Sequence, residues 1–222
     1  MAAAPRVALI HALIHSVAPI NAEFERAWPE CARMNLLDDS LSADLARSVA
    51  GLDERMTARF VALAAYAIGT GAQGILFTCS AFGPCIDAVA SRWPDLPVLK
   101  PNEAMIDDAV RAATTGGRGG RIGLVATFAP TLASLPAEFP AGVAVIAVLA
   151  EGALAALNGG DELTHDRLVA EAARTALAQG CDVIALAQFS LARAAPAVER
   201  AVPLPVLTTP ASAVRRLRSR ME

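Results

Sequence analysis

The sequence repeats itself once, and that duplication limits the chain to folds assembled from two like halves. Arg6-Val-Ala-Leu-Ile matches Arg121-Ile-Gly-Leu-Val, each a β-rich run behind a basic residue. The pair Glu23-Phe24 returns as Glu138-Phe139, with an alanine before each. Gly71-Ala-Gln-Gly-Ile-Leu-Phe-Thr-Cys79 aligns with Gly180-Cys-Asp-Val-Ile-Ala-Leu-Ala-Gln188, and Leu96-Pro-Val-Leu99 with Leu204-Pro-Val-Leu207. Order and spacing agree throughout. They predict a first half over 1–110, whose C-terminal helix is free to cross to the other half, and a second half over 111–222.

Within each half, short β-rich runs alternate with longer Ala-rich stretches at helical spacing. The predicted strands are 7–12, 31–37, 74–78 and 98–99, then 122–126, 143–148, 183–187 and 206–207. Long helices are predicted over 53–69, with Met56, Phe60, Leu63 and Ala67 in one stripe, and over 164–179, with Asp166 in the first turn. The fold class is therefore α/β, with two pseudo-symmetric halves, each a four-stranded parallel sheet flanked by helices and wound by right-handed crossovers. Ligands on such sheets bind beyond the carboxyl ends of the strands. A pseudo-twofold would turn those ends toward each other. The active site is expected in the cleft between the halves, lined by the paired positions Ala12 with Thr127 and Cys79 with Gln188.

Composition narrows the function classes. The 222 residues are 55% apolar and 18% charged, enough for a substantial core, and the net charge of -3 supplies no field for nucleic acid or an anionic membrane. The basic residues Arg215, Arg216, Arg218 and Arg220 read as the solvated end of a last helix. No apolar stretch reaches the ~20 residues that span a bilayer. The opening MAAAPRVALIHALIH reads as a first strand and its loop rather than a signal peptide. Cys31, Cys79, Cys85 and Cys181 form no CxxC pair and only three histidines exist, so neither a zinc site nor a disulfide framework is indicated and the expected location is cytoplasmic. The run from Gly116 to Gly120 precedes a strand rather than joining a strand to a helix, so it is not a phosphate loop. The expected cofactors are none, neither metal, nucleotide nor pyridoxal. The expected partner is a small carboxylate substrate, and a homo-oligomer stays open.

Cys79 is the best catalytic candidate. It ends an apolar strand and precedes a loop into a helix, whose N-terminal amides would lower a thiol pKa and hold a carboxylate. Thr78, Ser80 and the following amides are the natural carboxylate or oxyanion donors. Cys85, Cys31 and Cys181 read as packing. Thr127 closes a strand, so its hydroxyl either binds substrate or caps the next segment. His11 and His15 flank the end of the first strand before Ser16, and either could be a general acid or base. Asn21 is an amide donor or a helix cap. Of Asp38 and Asp39, adjacent loop acids, only one could reach the site. His165 belongs to a helix start and reads as structural.

With these features the chain resembles the aspartate/glutamate racemase superfamily, which includes hydantoin racemase, maleate isomerase and arylmalonate decarboxylase. The resemblance is carried by the two-half organisation, by Phe77-Thr78-Cys79-Ser80, by Val125-Ala126-Thr127 and by Asp182-Val-Ile-Ala-Leu. It implies cofactor-free chemistry at a carbon next to a carboxylate, with one cysteine removing a proton and a second delivering one to the opposite face. The second thiol belongs where this chain has Gln188, beside Phe189 and Ser190. Gln has no titrating proton near neutral pH. What the resemblance then implies is an isomerase or racemase working through a single thiol, or a decarboxylase whose thiol protonates an enediolate. A protein that binds small carboxylates without turnover is the reading from another class.

Overall fold

A computed structural model describes residues 4–49, 51–115 and 120–222. Most of the glycine run, from Gly116 to Gly119, lies outside the described residues. The first strands and helices are β1 (Arg6–His11), α1 (Val17–Ala27), β2 (Ala32–Leu37), α2 (Ser40–Arg47), α3 (Glu54–Gly69), β3 (Gly74–Phe77), α4 (Gly83–Arg92) and β4 (Val98–Leu99). After α5 (Glu103–Thr115) come β5 (Arg121–Ala126), α6 (Ala129–Ser134), β6 (Ala144–Leu149), α7 (Ala153–Asn158), α8 (Glu162–Ala178), β7 (Val183–Leu186), α9 (Ala195–Ala201), β8 (Val206–Thr208) and α10 (Thr209–Met221).

The strands form two parallel sheets of four, ordered β2-β1-β3-β4 and β6-β5-β7-β8. This is the α/β class that the alternation predicts, and each predicted strand boundary lies within one residue of the observed one. The crossover from the second to the third strand carries an extra short helix in both sheets, α2 and α7. The second long helix begins at Glu162 rather than 164, because the Asp161 carboxylate accepts the Thr164 amide at 3.0 Å and caps it there. Asp53 caps α3 in the same way, taking the Met56 amide at 2.8 Å. Along α3 the fully buried positions are Met56, Phe60, Ala64 and Ala67, with Leu63 only partly covered.

The duplication is visible bond by bond. Val7 and Ile10 pair with Gly74 and Phe77, as Ile122 and Val125 pair with Val183 and Leu186. The Thr78 amide donates to Ile10 O at 3.0 Å and the Ala187 amide to Val125 O at 2.9 Å. Both long helices end before a glycine in the left-handed region, Gly71 at φ 88° and Gly180 at φ 82°, where a β-carbon would be strained.

The chain groups into two units, residues 102–212 in one and 1–101 with 213–222 in the other. A boundary at 110/111 would therefore fall inside α5. That helix packs on β5, β7 and β8, burying Met105, Ile106 and Ala109 against Ile122, Leu124 and Val183. In the first unit the body of α10 lies so close to β3 that a β-carbon on Gly74 would meet Leu217 at 3.3 Å. Arg218 is not wholly solvated as expected: it donates to Ala27 O at 3.0 Å and its guanidinium lies 6.0 Å from the Trp28 ring centre. Cys31 and Cys181 are buried before β2 and β7, and Cys85 is buried in α4, in keeping with packing roles. Among the described residues, no helix is long and apolar enough to cross a membrane.

Candidate active site

In the first unit the side chains at the carboxyl end of β3 divide by alternation. Cys79 continues the face of Ile75 and Phe77 and packs on the cluster that includes Phe60 and Phe82. Thr78 turns to the other face. There its hydroxyl lies 2.9 Å from His11 Nδ1, while His11 Nε2 lies 2.9 Å from Asn35 Oδ1. An amide oxygen can only accept, so the ring proton sits on Nε2 and Nδ1 is the bare acceptor of the Thr78 hydroxyl. Burial pushes the His11 pKa down, with the Asn35 bond opposing in part, and the ring stays neutral. Asn21 extends the chain by donating to Asn35 Oδ1 and Val17 O, both at 2.8 Å.

These bonds revise three expectations. His11 is not a free acid or base, since both ring nitrogens are occupied. The Thr78 hydroxyl proton is spent on His11 and cannot hold a carboxylate. Asn21 has its amide hydrogens committed inside α1 and across to β2. Ser16 is buried at the start of α1, and His15 is half-buried in the turn before it. Asp38 is not a free acid: burial pushes its pKa up, but hydrogen bonds from Ser40 and Arg59 outweigh this and hold it low, Arg59 lying at 2.7 Å.

Cys79 is half-buried and is followed by a 3-10 turn, Ser80–Phe82, that leads into α4. The expectation of a lowered thiol pKa is reversed. Burial pushes it up, and the Ala81 amide and the neighbouring Ser42 offset this only in part. The group is therefore a protonated thiol at neutral pH. Ser80, also half-buried, keeps its hydroxyl unbonded among the described residues. Ser42 lies far from Cys79 in the sequence, and nothing local marks it. Its place in the loop-to-helix entry after β2, at a strand's carboxyl end, was the available signal.

In the second unit the position equivalent to Cys79 is Gln188, and that equivalent to Ala12 is Thr127, by the matching registers. Gln188 Oε1 accepts from the Thr127 amide at 2.7 Å and from the Thr127 hydroxyl at 2.9 Å. Its NH2 group has no acceptor among the described residues. The Thr127 hydroxyl proton is thus also spent, leaving the Gln188 amide hydrogens as the donors of this strand end. Phe189 is 2% exposed and faces the core, so it is no ligand contact as placed, while Ser190 is half-buried. His165 is buried in the first turns of α8 with Nδ1 2.8 Å from Asp166, whose carboxylate also accepts from Arg193 at 3.0 Å in the segment that follows β7. No three His, Cys, Asp or Glu side chains converge as metal ligands among the described residues.

Solved structures with this fold include allantoin racemase from Klebsiella pneumoniae, at 18% identity and TM-score 0.70, covering 97% of this chain and 86% of that one. An aspartate racemase homologue from Pyrococcus horikoshii OT3 has 14% identity and TM-score 0.72, covering 97% of this chain and 98% of that one. Unliganded arylmalonate decarboxylase has 16% identity and TM-score 0.61, covering 98% of this chain and 93% of that one. At these identities the likeness is one of fold. No curated protein matches the sequence significantly. The family profile described as Asp/Glu/Hydantoin racemase, however, matches residues 17–217, and the chain belongs to that family of racemase-type enzymes.

Proposed function

We propose that the chain is a cofactor-independent isomerase or racemase acting at the carbon next to the carboxylate of a small acid, with Cys79 as its single reacting thiol. The observation that carries this reading is the matched register: Cys79 and Gln188 stand at one position of the repeat, and only the first bears a titrating proton. Once the substrate carbon has given up its proton to a water molecule, or has lost carbon dioxide, a thiol kept protonated by burial can deliver its proton to the carbanion next to the carboxylate, sulfur keeping the electron pair. The Ser80 hydroxyl and the Ser80 and Phe82 amides of the turn supply donors for the carboxylate and for enediolate charge. At its own strand end Gln188 offers amide hydrogens and no titrating proton, with Ser190 as the neighbouring hydroxyl. Thr78, His11 and Asn21 hold the strand end rather than the ligand.

A decarboxylating lyase is the second reading. One-sided protonation suffices after loss of carbon dioxide, and arylmalonate decarboxylase shares the fold. The test is incubation of maleate-, malonate- and amino-dicarboxylate-type acids in heavy water, followed by proton NMR and mass spectrometry. Racemisation, isomerisation and decarboxylation leave different isotope patterns, and the expected result is deuterium entering next to the carboxylate with wild type and not with Cys79→Ala. Binding without turnover across the panel would assign a carboxylate-binding protein instead.

A further inference from the structure

A single exposed apolar side chain is ordinary, but a gathering of them marks a contact surface. Of the seven large apolar side chains that are exposed among the described residues, four stand at the carboxyl end of a strand: Leu13 and Ile14 after β1, Leu37 at the end of β2 and Phe128 after β5. Two of these occupy one position of the repeat. Leu13 follows Ala12 as Phe128 follows Thr127, and both are extended, at φ -144°, ψ 134° and at φ -128°, ψ 114°. Their exposures also match, at 44% and 47%. Each half therefore ends its first strand on a large apolar side chain open to solvent.

Within the first unit, Ile10 pairs with Phe77 and the Thr78 amide donates to Ile10 O at 3.0 Å. Carried forward, that register sets Ala12 level with Cys79 and Leu13 level with Ser80, one strand spacing of about 4.8 Å away. Ala12 and Cys79 pack in one cluster, so by alternation Leu13 falls on the other side, toward Ser80. What these strand ends lack is a free Lys or Arg. Among the described residues, the four that follow each of β1 to β4 include one such cation, Lys100, and its ammonium lies 2.7 Å from the Asp87 carboxylate. Arg59 reaches Asp38 after β2, but its guanidinium is shared between Asp38 and Asp44, each at 2.7 Å. A second carboxylate on the substrate would meet apolar side chains, and nothing would offset its lost hydration. An apolar group would instead cover them and be covered. We propose that the substrate is a small acid whose reacting carbon carries an aryl or branched alkyl group, seated on Leu13, in place of the second charged arm of an amino-dicarboxylate. The inference rests on the reading that Cys79 is the reacting thiol and Ser80 a carboxylate donor.

The experiment reads occupancy at Cys79. Phenylacetate and succinate are titrated as protectants of Cys79 against iodoacetamide in wild type, Leu13→Ala and Leu13→Lys, with the Cys79 peptide quantified by mass spectrometry and sedimentation velocity run on each protein. Leu13→Thr is the second truncation, should Leu13→Ala not fold. Half-protection is expected at a concentration at least about ten-fold lower for phenylacetate than for succinate, the scale on which apolar contacts discriminate. Leu13→Ala should raise the phenylacetate value about ten-fold while that of succinate stays within about two-fold, and Leu13→Lys should bring the two acids level. Succinate protecting as well as phenylacetate in wild type, protection by neither, or a phenylacetate value unmoved in Leu13→Ala would each overturn the proposal. An unmoved value with an altered sedimentation coefficient would assign Leu13 to an interface between copies of the chain instead. The two readings fail separately. Deuterium exchange retained in Cys79→Ala removes the role of the thiol whatever the order of protection, whereas exchange lost in Cys79→Ala with succinate the better protectant removes only the apolar group.

Discussion

At the scale of single residues, strand alternation gives adjacent side chains opposite duties. Cys79 offers a thiol on one face, while Thr78 on the other is tied to a neutral histidine. Cys79→Ala is expected to lower turnover at least about a thousand-fold, the scale of loss when an acid or nucleophile is removed. Ligand binding should stay nearly unchanged by calorimetry, because the carboxylate donors belong to Ser80 and the turn. The buried His11 makes stability depend on pH. Its folded pKa lies below the ordinary 6.5, so the unfolded chain takes up a proton first as pH falls. The stabilisation is complete above pH 6.5 and declines below it toward the folded value. His11→Gln should flatten that slope in urea titrations between pH 7 and 5; a slope equal to wild type would place the dependence elsewhere.

At the scale of elements, close approach decides what each strand tolerates. A β-carbon on Gly123 would lie 2.9 Å from the Ala176 β-carbon on α8 and 3.0 Å from Cys181 Sγ. These neighbours belong to a helix and a buried strand entry, so Gly123→Ala is expected to cost about 1–3 kcal/mol in urea unfolding, the usual scale of overpacking. At Gly74 the nearest atom is the sulfur of the terminal-helix residue Met221, a flexible end that can move, and Gly74→Ala should cost less. The strand ends of β3 and β7 carry the sharpest functional contrast. Gln188→Cys places a thiol at the position of the repeat that Cys79 occupies in the first half. It is expected to introduce or raise deuterium exchange at the substrate carbon; no gain in heavy-water NMR would argue against paired roles. The variant should also melt lower, because the Thr127 amide and hydroxyl lose their shared acceptor.

At the scale of the molecule, sequence order and folding unit part company at two helices. Residues 1–110 alone would lack the segment 213–222, whose Ala213, Val214 and Leu217 are buried, and would carry part of an α5 that packs on the other sheet. Chains cut at 110/111 are therefore expected to show weak near-ultraviolet dichroism and rapid proteolysis when expressed separately; a cooperative melt from either would refute this. The strands and both long helices were readable beforehand because hydrophobic period and helix-stop glycines are local properties, and the duplication let each half check the other. The positions Cys79 and Gln188 were readable for the same reason, since a repeat aligns its own strand ends. What only the tertiary structure decided were the partners. Asn35 binding His11, Thr127 spending its hydroxyl on Gln188, Ser42 donating to the Ala12 carbonyl and α5 leaving its own half all join residues far apart in sequence. Hydrogen-bond geometry and burial arise from such long-range contacts, and with them come the raised thiol and the neutral histidine, whereas composition and periodicity act only along the chain.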